Sequence, residues 1–323
     1  DHIGCNDAFG PGPIVVAHCN TRKRLTSGHY IIEEIPEFSL PKIEIQELTT
    51  LRFGGEEIRI IPLPGSHTDN DLVVHFVREN VACLSDLFYG KSMFPSVDAI
   101  SGDIDMYPSC VEKALHALPR DVIVTPGHSQ ETFTWEDVND SHGMLVATIA
   151  KVREAAKRGM NLEELKATQV LKEWDCFGQG YTSTDQWIKY IWRGIAGEPA
   201  TKMVIEPLYR VLQSGSGADA VRAYHELKAQ SPTEYFFQAG PSLRIVYYLL
   251  AKERLADALE YLDFMLDEFA NSNLIGYVFD SLGDCHKRLG NAAESIAWTR
   301  KAVEKNPELD HAHARLAELE SCV

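Results

Sequence analysis

The sequence predicts an α/β domain followed by an all-α domain. Short apolar runs separated by turns dominate the first 130 residues, and helical spacing dominates the remainder. Strands interspersed with helices are typical of layered α/β domains. Gly194, Gly197 and Pro199 mark a break between the two patterns. We therefore expect a first domain at residues 1–198 and a second at residues 199–323, in a chain long enough for two cores.

The elements of the first domain follow from its apolar runs and their turn-forming neighbours. The predicted strands lie at residues 13–17, 43–45, 58–61, 72–77, 81–84 and 122–124. Helical spacing predicts helices at residues 110–118, 135–158, 161–173 and 185–195. Asn161, followed by Glu164, is a typical helix start. From Trp135 onward we expect no further strands.

The second domain carries a helical repeat. Small residues recur between Ser281 and Asn306, and Pro307 follows at the expected helix end. A weaker copy runs over residues 245–265, and a half-repeat runs over residues 311–319. The pattern resembles the tetratricopeptide repeat, in which paired helices touch through small residues. The alternative is a generic pair of helical hairpins.

Composition excludes several classes of function. The net charge is 31 − 47 = −16, so long-range repulsion disfavours nucleic acid as a partner. Apolar residues make up 45% of the chain, yet no apolar run approaches the roughly 20 residues of a transmembrane helix, so no membrane partner is expected. The seven cysteines are scattered and include no C-x-x-C pair, which favours a reducing, cytoplasmic compartment. An upstream signal sequence stays open.

Four short segments carry metal-binding residue types: Asp1-His2, His67, Asp86 and His128. Each lies at the end of an apolar run or beside a glycine, where side chains converge at one sheet edge. Zinc takes imidazole nitrogen and carboxylate oxygen as ligands. Turn chemistry alone can place His67, and helix capping alone can place Asp86. Turn chemistry and helix capping explain single residues, but four such segments in one order are harder to explain by these structural roles alone.

The order and flanking sequence of these segments resemble the metallo-β-lactamase superfamily over residues 1–195. The family motif His-x-His-x-Asp-His is represented here by its last two residues, Asp1 and His2. We therefore expect the native chain to continue upstream with a His-x-His pair and further strands. The resemblance implies a four-layer αββα sandwich with the site at one edge, between two sheets. Cys5, Ser85 and Ser129 depart from the family, which commonly has glycine at these positions.

The resemblance also implies roles for the candidate ligands. Asp1, His2 and His128 would hold one zinc ion, His67 would be one of three histidines on a second, and Asp86 would bridge both. Two ions in the intact protein would share a hydroxide that cleaves an ester-, lactone-, thioester- or amide-like bond of a small-molecule substrate. Asp1 would act in catalysis by orienting this nucleophile. A bridging carboxylate is closer to the thioesterase, lactonase and esterase branches than to true β-lactamases.

Other residues receive weaker assignments. Tyr89 and Lys91 follow the bridging position and are expected to face substrate, with Lys91 stabilising an oxyanion. A solvated loop lysine is the alternative. The remaining histidines fit no ligand segment and are interpreted as surface residues or as core residues with satisfied hydrogen bonds: His18, His29, His75, His116, His142, His225, His286, His311 and His313.

Two functional hypotheses remain. The first is the zinc hydrolase described above. The second is a catalytically inactive interaction protein, whose helical repeat is its working surface. In either case we expect the helical domain to hold a second copy of the chain, because a homo-oligomer needs no partner that the sequence does not show.

Overall fold

The computed structural model describes residues 2–3, 5–26, 35–197 and 202–321. The chain divides into two compact units, Asp1–Ala200 and Thr201–Val323. The first unit combines a β-sheet with helices. The second unit is built almost entirely from helices.

The first unit contains the following elements. Its strands are β1 (Val16–His18), β2 (Ile43–Ile45), β3 (Thr49–Phe53), β4 (Glu56–Pro62), β5 (Leu72–Phe76), β6 (Val81–Ser85) and β7 (Ile123–Pro126). Its α-helices are α1 (Cys19–Leu25), α2 (Tyr107–Ala117), α3 (Trp135–Lys157), α4 (Leu162–Ala167) and α5 (Thr184–Ala196). Short 3-10 helices lie at Asn6–Phe9, Glu37–Ser39 and Lys172–Gln179.

Strands β3 to β7 form a five-stranded sheet in that order. Neighbouring strands are antiparallel from β3 to β6, whereas β6 and β7 are parallel. The chain between β6 and β7 includes α2, since parallel neighbours need a crossover connection. Because β4 runs in the same direction as β6, the carboxyl ends of β4, β6 and β7 lie at one edge. Three of the candidate ligand segments follow these three strands.

Burial alternates along the central strands. Val73 and Ala82 are fully buried, whereas the cross-strand partners Val74 and Cys83 are only partly buried. Successive side chains of a strand point to opposite faces, so one face of the sheet contributes to the core. Besides this sheet and the parallel pair β1–β2, the described part of the first unit has no named strands. It therefore holds one large sheet, whereas the αββα sandwich has two.

Helix α3 begins where the sequence predicts a helix. Thr134 Oγ1 accepts a hydrogen bond from Asp137 N at 3.3 Å, and Asp137 Oδ2 accepts one from Thr134 N at 2.8 Å. This reciprocal capping box satisfies two backbone donors that the first turn would leave unpaired. The helix ends at Lys157, within one residue of the predicted end.

Strand β3 is missing from the sequence prediction. Its side chains are partly or fully exposed, so no buried apolar run marks it. The turn to β4 did carry a signal, because Gly54 (φ 61°) and Gly55 (φ 84°) form a two-residue hairpin connection. Both residues adopt the left-handed conformation that favoured hairpin turns require. The Gly-Gly pair, rather than periodicity, is the sequence signal that could have predicted this hairpin.

Several predicted boundaries are wrong, including the following two. The helix predicted at 161–173 ends at Ala167, and Gln169 adopts a positive φ of 50° before a 3-10 helix follows. The first strand starts at Val16 rather than at residue 13, because Pro13 has no N–H to pair. Neither change moves a candidate ligand.

The second unit contains seven α-helices and two short strands among its described residues. Its helices are α6 (Ile205–Leu212), α7 (Gly217–Gln230), α8 (Ala239–Ala251), α9 (Leu255–Glu268), α10 (Ile275–Arg288), α11 (Ala292–Lys305) and α12 (Asp310–Ser321). Strands β8 (Lys202–Met203) and β9 (Tyr235–Phe236) form a parallel pair. The prediction of no strands after Trp135 was wrong, because two-residue strands leave no readable periodicity.

Small residues allow close packing between helices of the second unit. A Cβ atom at Gly283 in α10 would lie 2.5 Å from Thr299 Oγ1 in α11. Ser295 Oγ donates a hydrogen bond to Gly283 O at 2.7 Å. At Gly276, a Cβ atom would lie 2.2 Å from Asn306 Oδ1. Larger side chains at these glycines would push the two helices apart.

None of the helices within the described ranges is long and apolar enough to cross a membrane. The longest is α3, with 23 residues, and it carries charged side chains along its length.

Candidate metal centre

The sheet topology brings three loops to one edge. His67 follows β4, Asp86 directly follows β6, and His128 follows β7. These three strands end at the same edge of the sheet because they run in the same direction. His2 reaches the same place from the start of the chain. Asp1, the fifth predicted ligand, lies outside the described residues.

The Asp86 carboxylate lies at the centre of this group. Its Oδ1 is 3.1 Å from His2 Nε2 and 3.3 Å from His128 Nε2. Its Oδ2 is 3.2 Å from His67 Nε2 and 3.3 Å from His128 Nε2. Asp86 is only 3% exposed, so its carboxylate is largely shielded from water. One carboxylate oxygen faces His2, the other faces His67, and both face His128.

This group of donors suits a metal ion such as zinc. One nitrogen each from His2 and His128 and one oxygen from Asp86 lie within 4.8 Å of one another. Imidazole nitrogen and carboxylate oxygen are typical zinc ligands. Asp86 Oδ1 is buried and accepts no hydrogen bond of good geometry from the described part of the chain. A buried acceptor left in this way usually has another partner, such as an ion.

Electrostatics keep this carboxylate charged. Burial alone would raise the pKa of Asp86, but the neighbouring imidazoles of His128, His2 and His67 oppose this effect. Together they hold the pKa of Asp86 far below its usual range. A charged carboxylate is the form that binds cations.

Local backbone geometry brings Asp86 to the sheet edge. The β6–β7 register shifts between Cys83 and Ser85, and Ser85 has a φ of 48°. Few residues other than glycine adopt this left-handed conformation. Gly127 N donates to Ser85 O at 2.9 Å, which joins the ends of the two strands. The position where the resembled family commonly has glycine is therefore occupied by a serine in a conformation that favours glycine.

The loop that carries His67 is held from both sides. Asp98 N donates to His67 O at 2.8 Å. Asp71 accepts hydrogen bonds from Ser66 Oγ (2.6 Å), Thr68 N (2.8 Å) and Thr68 Oγ1 (2.6 Å). Burial has the largest effect on Asp71 and raises its pKa, although the charge of His67 and these hydrogen bonds lower it. Asp71 thus holds the backbone on both sides of His67.

Two tyrosines also hold Asp86. Tyr89 Oη donates to Asp86 Oδ2 at 2.9 Å, and Tyr107 Oη donates to the backbone O of Asp86 at 2.6 Å. The Tyr89 ring stacks on the His128 ring, with centroids 5.3 Å apart. Burial raises the pKa of the Tyr89 hydroxyl well above its usual range, so the hydroxyl keeps its proton.

Tyr89 and Lys91 were expected to face substrate, and the structure places them differently from each other. Tyr89 is 5% exposed and its hydroxyl is occupied by Asp86 and by Ser96. Lys91 is exposed, and its Nζ forms an ion pair with Asp137 Oδ1 at 2.7 Å. Tyr89 therefore contacts a candidate ligand, whereas Lys91 contacts the start of α3.

Sequence reasoning missed three contributors and misjudged one histidine. Ser96, Tyr107 and Asp71 contact the site through hydrogen bonds, and no motif marks Ser96 or Tyr107. Asp71 had a signal, because serine, threonine and aspartate close in sequence often form such turns. His75 is buried, but neither ring nitrogen has a hydrogen-bond partner among the described residues. The interpretation of His75 as a core residue with satisfied hydrogen bonds is therefore wrong.

No family model and no curated protein matches the chain. Solved structures do resemble it. The BLEG-1 B3 metallo-beta-lactamase is 21% identical, with 45% of this chain and 72% of that chain covered and a TM-score of 0.39. A metallo-beta-lactamase from Pontibacter korlensis is 16% identical, with 44% and 62% covered and a TM-score of 0.37.

A third similar structure is a stereoselective inverting sec-alkylsulfatase from Pseudomonas sp., at 12% identity and a TM-score of 0.42. The likeness covers 83% of this chain and 42% of the sulfatase, so the chain spans less than half of that enzyme. The structures that resemble this chain are members of the metallo-β-lactamase superfamily.

Proposed function

We propose that this chain is the catalytic part of a metal-dependent hydrolase with a dinuclear zinc centre. The observation that carries the proposal is the buried Asp86 carboxylate, which has three histidine Nε2 atoms within 3.3 Å. A purely structural aspartate rarely collects three imidazoles, since one hydrogen-bonded partner would satisfy each oxygen. Clusters of such residues at a sheet edge are typical of active sites.

The geometry supports a division of the ligands between two ions. Asp86 Oδ1 with His2 and His128 would hold one ion, and Asp86 Oδ2 with His67 would contribute to the other. We carry Asp1 over from the resemblance as a further ligand and as the group that orients the nucleophile. Bound zinc supplies two things: it lowers the pKa of water to near neutrality, and it polarises the bond under attack.

The protein's own residues orient this chemistry. The charged Asp86 would compensate the charge of bound cations inside the protein, and Asp71 holds the loop of His67 in place. The side chains of His2 and His128 are 41% and 40% exposed, compared with 20% for His67. The His2 and His128 side of the group is thus the side open to a substrate. We propose an ester-, lactone-, thioester- or amide-like bond as the target.

Zinc analysis tests the metal centre directly. We expect the intact protein to bind zinc with a stoichiometry approaching two, measured by calorimetry and elemental analysis. Asp86→Asn should abolish binding, because it removes the charge shared by both ions, and His67→Ala should lower the stoichiometry. His116→Ala is the matched control, since His116 is exposed in the last turn of α2 and should bind zinc normally. Absence of zinc binding by the unaltered protein would favour the inactive interaction protein instead.

An activity screen tests the bond class. The zinc-loaded protein would be assayed against lactones, thioesters, carboxylic esters, β-lactams, and sulfate and phosphate esters, with Asp86→Asn as the background control. We expect zinc-dependent turnover of at least one carbonyl substrate. Turnover of sulfate esters alone would contradict the proposed bond class while leaving the metal centre intact.

We further propose that the helical unit is a tetratricopeptide-like array that holds a second copy of the chain. The close contacts at Gly276 and Gly283 support a repeat in which small residues separate paired helices. Tyr247 and Leu289 are 48% and 42% exposed, which leaves apolar surface available for a partner. Short repeat arrays gain stability by covering such surface.

A further inference from the structure

A line of hydrogen bonds connects His67 to Asp86 through two residues that are not ligands. His67 Nδ1 lies 3.0 Å from Ser96 O and 3.2 Å from Ser96 Oγ. Ser96 Oγ lies 2.7 Å from Tyr89 Oη, which lies 2.9 Å from Asp86 Oδ2. Tyr89 and Ser96 are 5% and 8% exposed, so little water competes for these bonds.

The direction of each bond follows from the number of protons available. A carboxylate only accepts, so the single hydroxyl proton of Tyr89 points to Asp86. The contact between Tyr89 and Ser96 therefore has Ser96 as the donor. Ser96 then has no proton left for His67, and its carbonyl oxygen can only accept. His67 Nδ1 must therefore carry a proton. In the neutral ring that binds a metal, the lone pair is then on Nε2, the nitrogen that faces Asp86.

We propose that Tyr89 is the positioning residue for Asp86 and that Ser96 positions both His67 and Tyr89. The Ser96 carbonyl fixes the His67 tautomer, and Ser96 Oγ directs the Tyr89 hydroxyl toward Asp86. This inference rests on the proposed metal centre. Residues that orient metal ligands in this way typically change metal affinity by roughly 10–100-fold. The ring of Tyr89, stacked on His128, adds contact with a third candidate ligand. Tyr89 and Ser96 thereby link three candidate ligands, His67, Asp86 and His128.

Tyr107 provides a comparison within the same site. Its hydroxyl also binds Asp86, but at the backbone oxygen instead of the carboxylate. Both tyrosines are buried. Tyr107→Phe should therefore lower stability more than metal affinity, whereas Tyr89→Phe should do the reverse. Tyr261→Phe, which alters a buried tyrosine in the second unit, controls for loss of a phenol hydroxyl elsewhere.

The experiment measures zinc affinity by competition with a chelating dye, together with thermal unfolding of the metal-free proteins. Tyr89→Phe should weaken zinc binding by roughly 10–100-fold, and Ser96→Ala by a smaller factor. The double variant should be hardly weaker than Tyr89→Phe, because the Ser96 hydroxyl acts through Tyr89. Unchanged affinity in Tyr89→Phe, or equal losses in Tyr89→Phe and Tyr107→Phe, would overturn the inference.

A second readout needs no metal. Nitrogen-15 NMR of the metal-free protein, with His67→Gln used for assignment, should show His67 protonated at Nδ1 in the unaltered protein and in Ser96→Ala. A neutral His67 ring with its proton on Nε2 and none on Nδ1 would overturn the inference whatever the zinc data show. Failure of the unaltered protein to bind zinc would instead refute the proposed metal centre, and the two failures are therefore distinguishable.

Discussion

Gly127 lies directly against the carboxylate of Asp86. A Cβ atom at Gly127 would come within 2.1 Å of Asp86 Oδ1 and 2.9 Å of the Ser85 carbonyl carbon. Both distances are far below van der Waals contact, and the second atom belongs to the backbone and cannot move aside easily. Gly127, which precedes His128, must therefore be a glycine because the end of β7 passes so close to Asp86, the candidate bridging ligand.

Gly127→Ala should damage the site and the fold together. We expect loss of zinc binding and a fall in the free energy of unfolding of about 1–3 kcal/mol, the usual cost of overpacking. Gly143→Ala in α3 is the matched control, because a Cβ atom there meets nothing within 4 Å. It should raise stability by up to about 1 kcal/mol, as alanine favours helices. Urea unfolding and zinc calorimetry provide the comparison, and normal zinc binding by Gly127→Ala would contradict the packing argument.

His75 should be a site of easy stabilisation. Its buried ring has two nitrogens without hydrogen-bond partners in the described chain, and an unpaired buried polar group costs about 1–3 kcal/mol. We expect His75→Leu to raise the free energy of unfolding by about 1 kcal/mol, measured by urea unfolding. His116→Leu, at an exposed position, should change it by no more than about 0.5 kcal/mol. A destabilised His75→Leu protein would indicate that the imidazole has a partner.

The capping box of α3 should make stability depend on pH. Burial would raise the pKa of Asp137, but hydrogen bonds from Lys91 and from Thr134 lower it below its usual value of 3.8. The carboxylate is thus stabilising above that value, and its contribution is lost as pH falls through the lowered pKa. Asp137→Asn should cost about 1 kcal/mol at pH 7 and less at pH 3, because the contribution of the carboxylate is lost as it becomes protonated.

Lys91→Met separates the contribution of the Lys91–Asp137 ion pair to stability from that of the Asp137 capping hydrogen bonds. It should cost no more than about 1 kcal/mol, since exposed ion pairs contribute little. It should leave zinc affinity unchanged, because Lys91 contacts Asp137 and no candidate ligand. Urea unfolding at pH 7 and pH 3 measures the change in stability, and chelator competition measures the zinc affinity. A pH-independent difference between Asp137→Asn and the unaltered protein would contradict the assigned pKa shift.

The helical unit should govern assembly. We expect the whole chain to be a dimer by light scattering, and a chain ending at residue 200 to be a monomer that still binds zinc, because all described candidate ligands lie in the first unit. Tyr247→Asp should weaken the dimer if its exposed ring lies in the contact. A truncated chain that stays dimeric would refute the assembly role of the second unit.

The ligand segments could be predicted from sequence because their signals are local. Apolar runs over 81–84 and 122–124 predict strands, and the residues just after them, Asp86 and His128, are of ligand type. In the structure both follow strands of one sheet. Helix α3 was equally predictable, since its apolar spacing and its Thr134 cap lie within the same stretch of chain.

The supporting residues could not be predicted in this way. Ser96 is 29 residues from His67, and Tyr107 is 21 residues from Asp86. Hydrogen bonds over such separations depend on how loops fold back, and sequence periodicity does not contain this information. Tyr89 lies close to Asp86 in sequence, yet its neighbours did not reveal whether its hydroxyl faced solvent or the carboxylate.

By itself, then, the sequence determined the candidate ligands, their order and the strands that they follow, because hydrophobic periodicity and turn chemistry act over a few residues. Only the tertiary structure decided that His67 and His2 face different oxygens of Asp86, and that His75 is buried without a hydrogen-bond partner among the described residues. These features depend on strand order and direction across the sheet. They arise only when segments far apart in the chain pack against one another and exclude water.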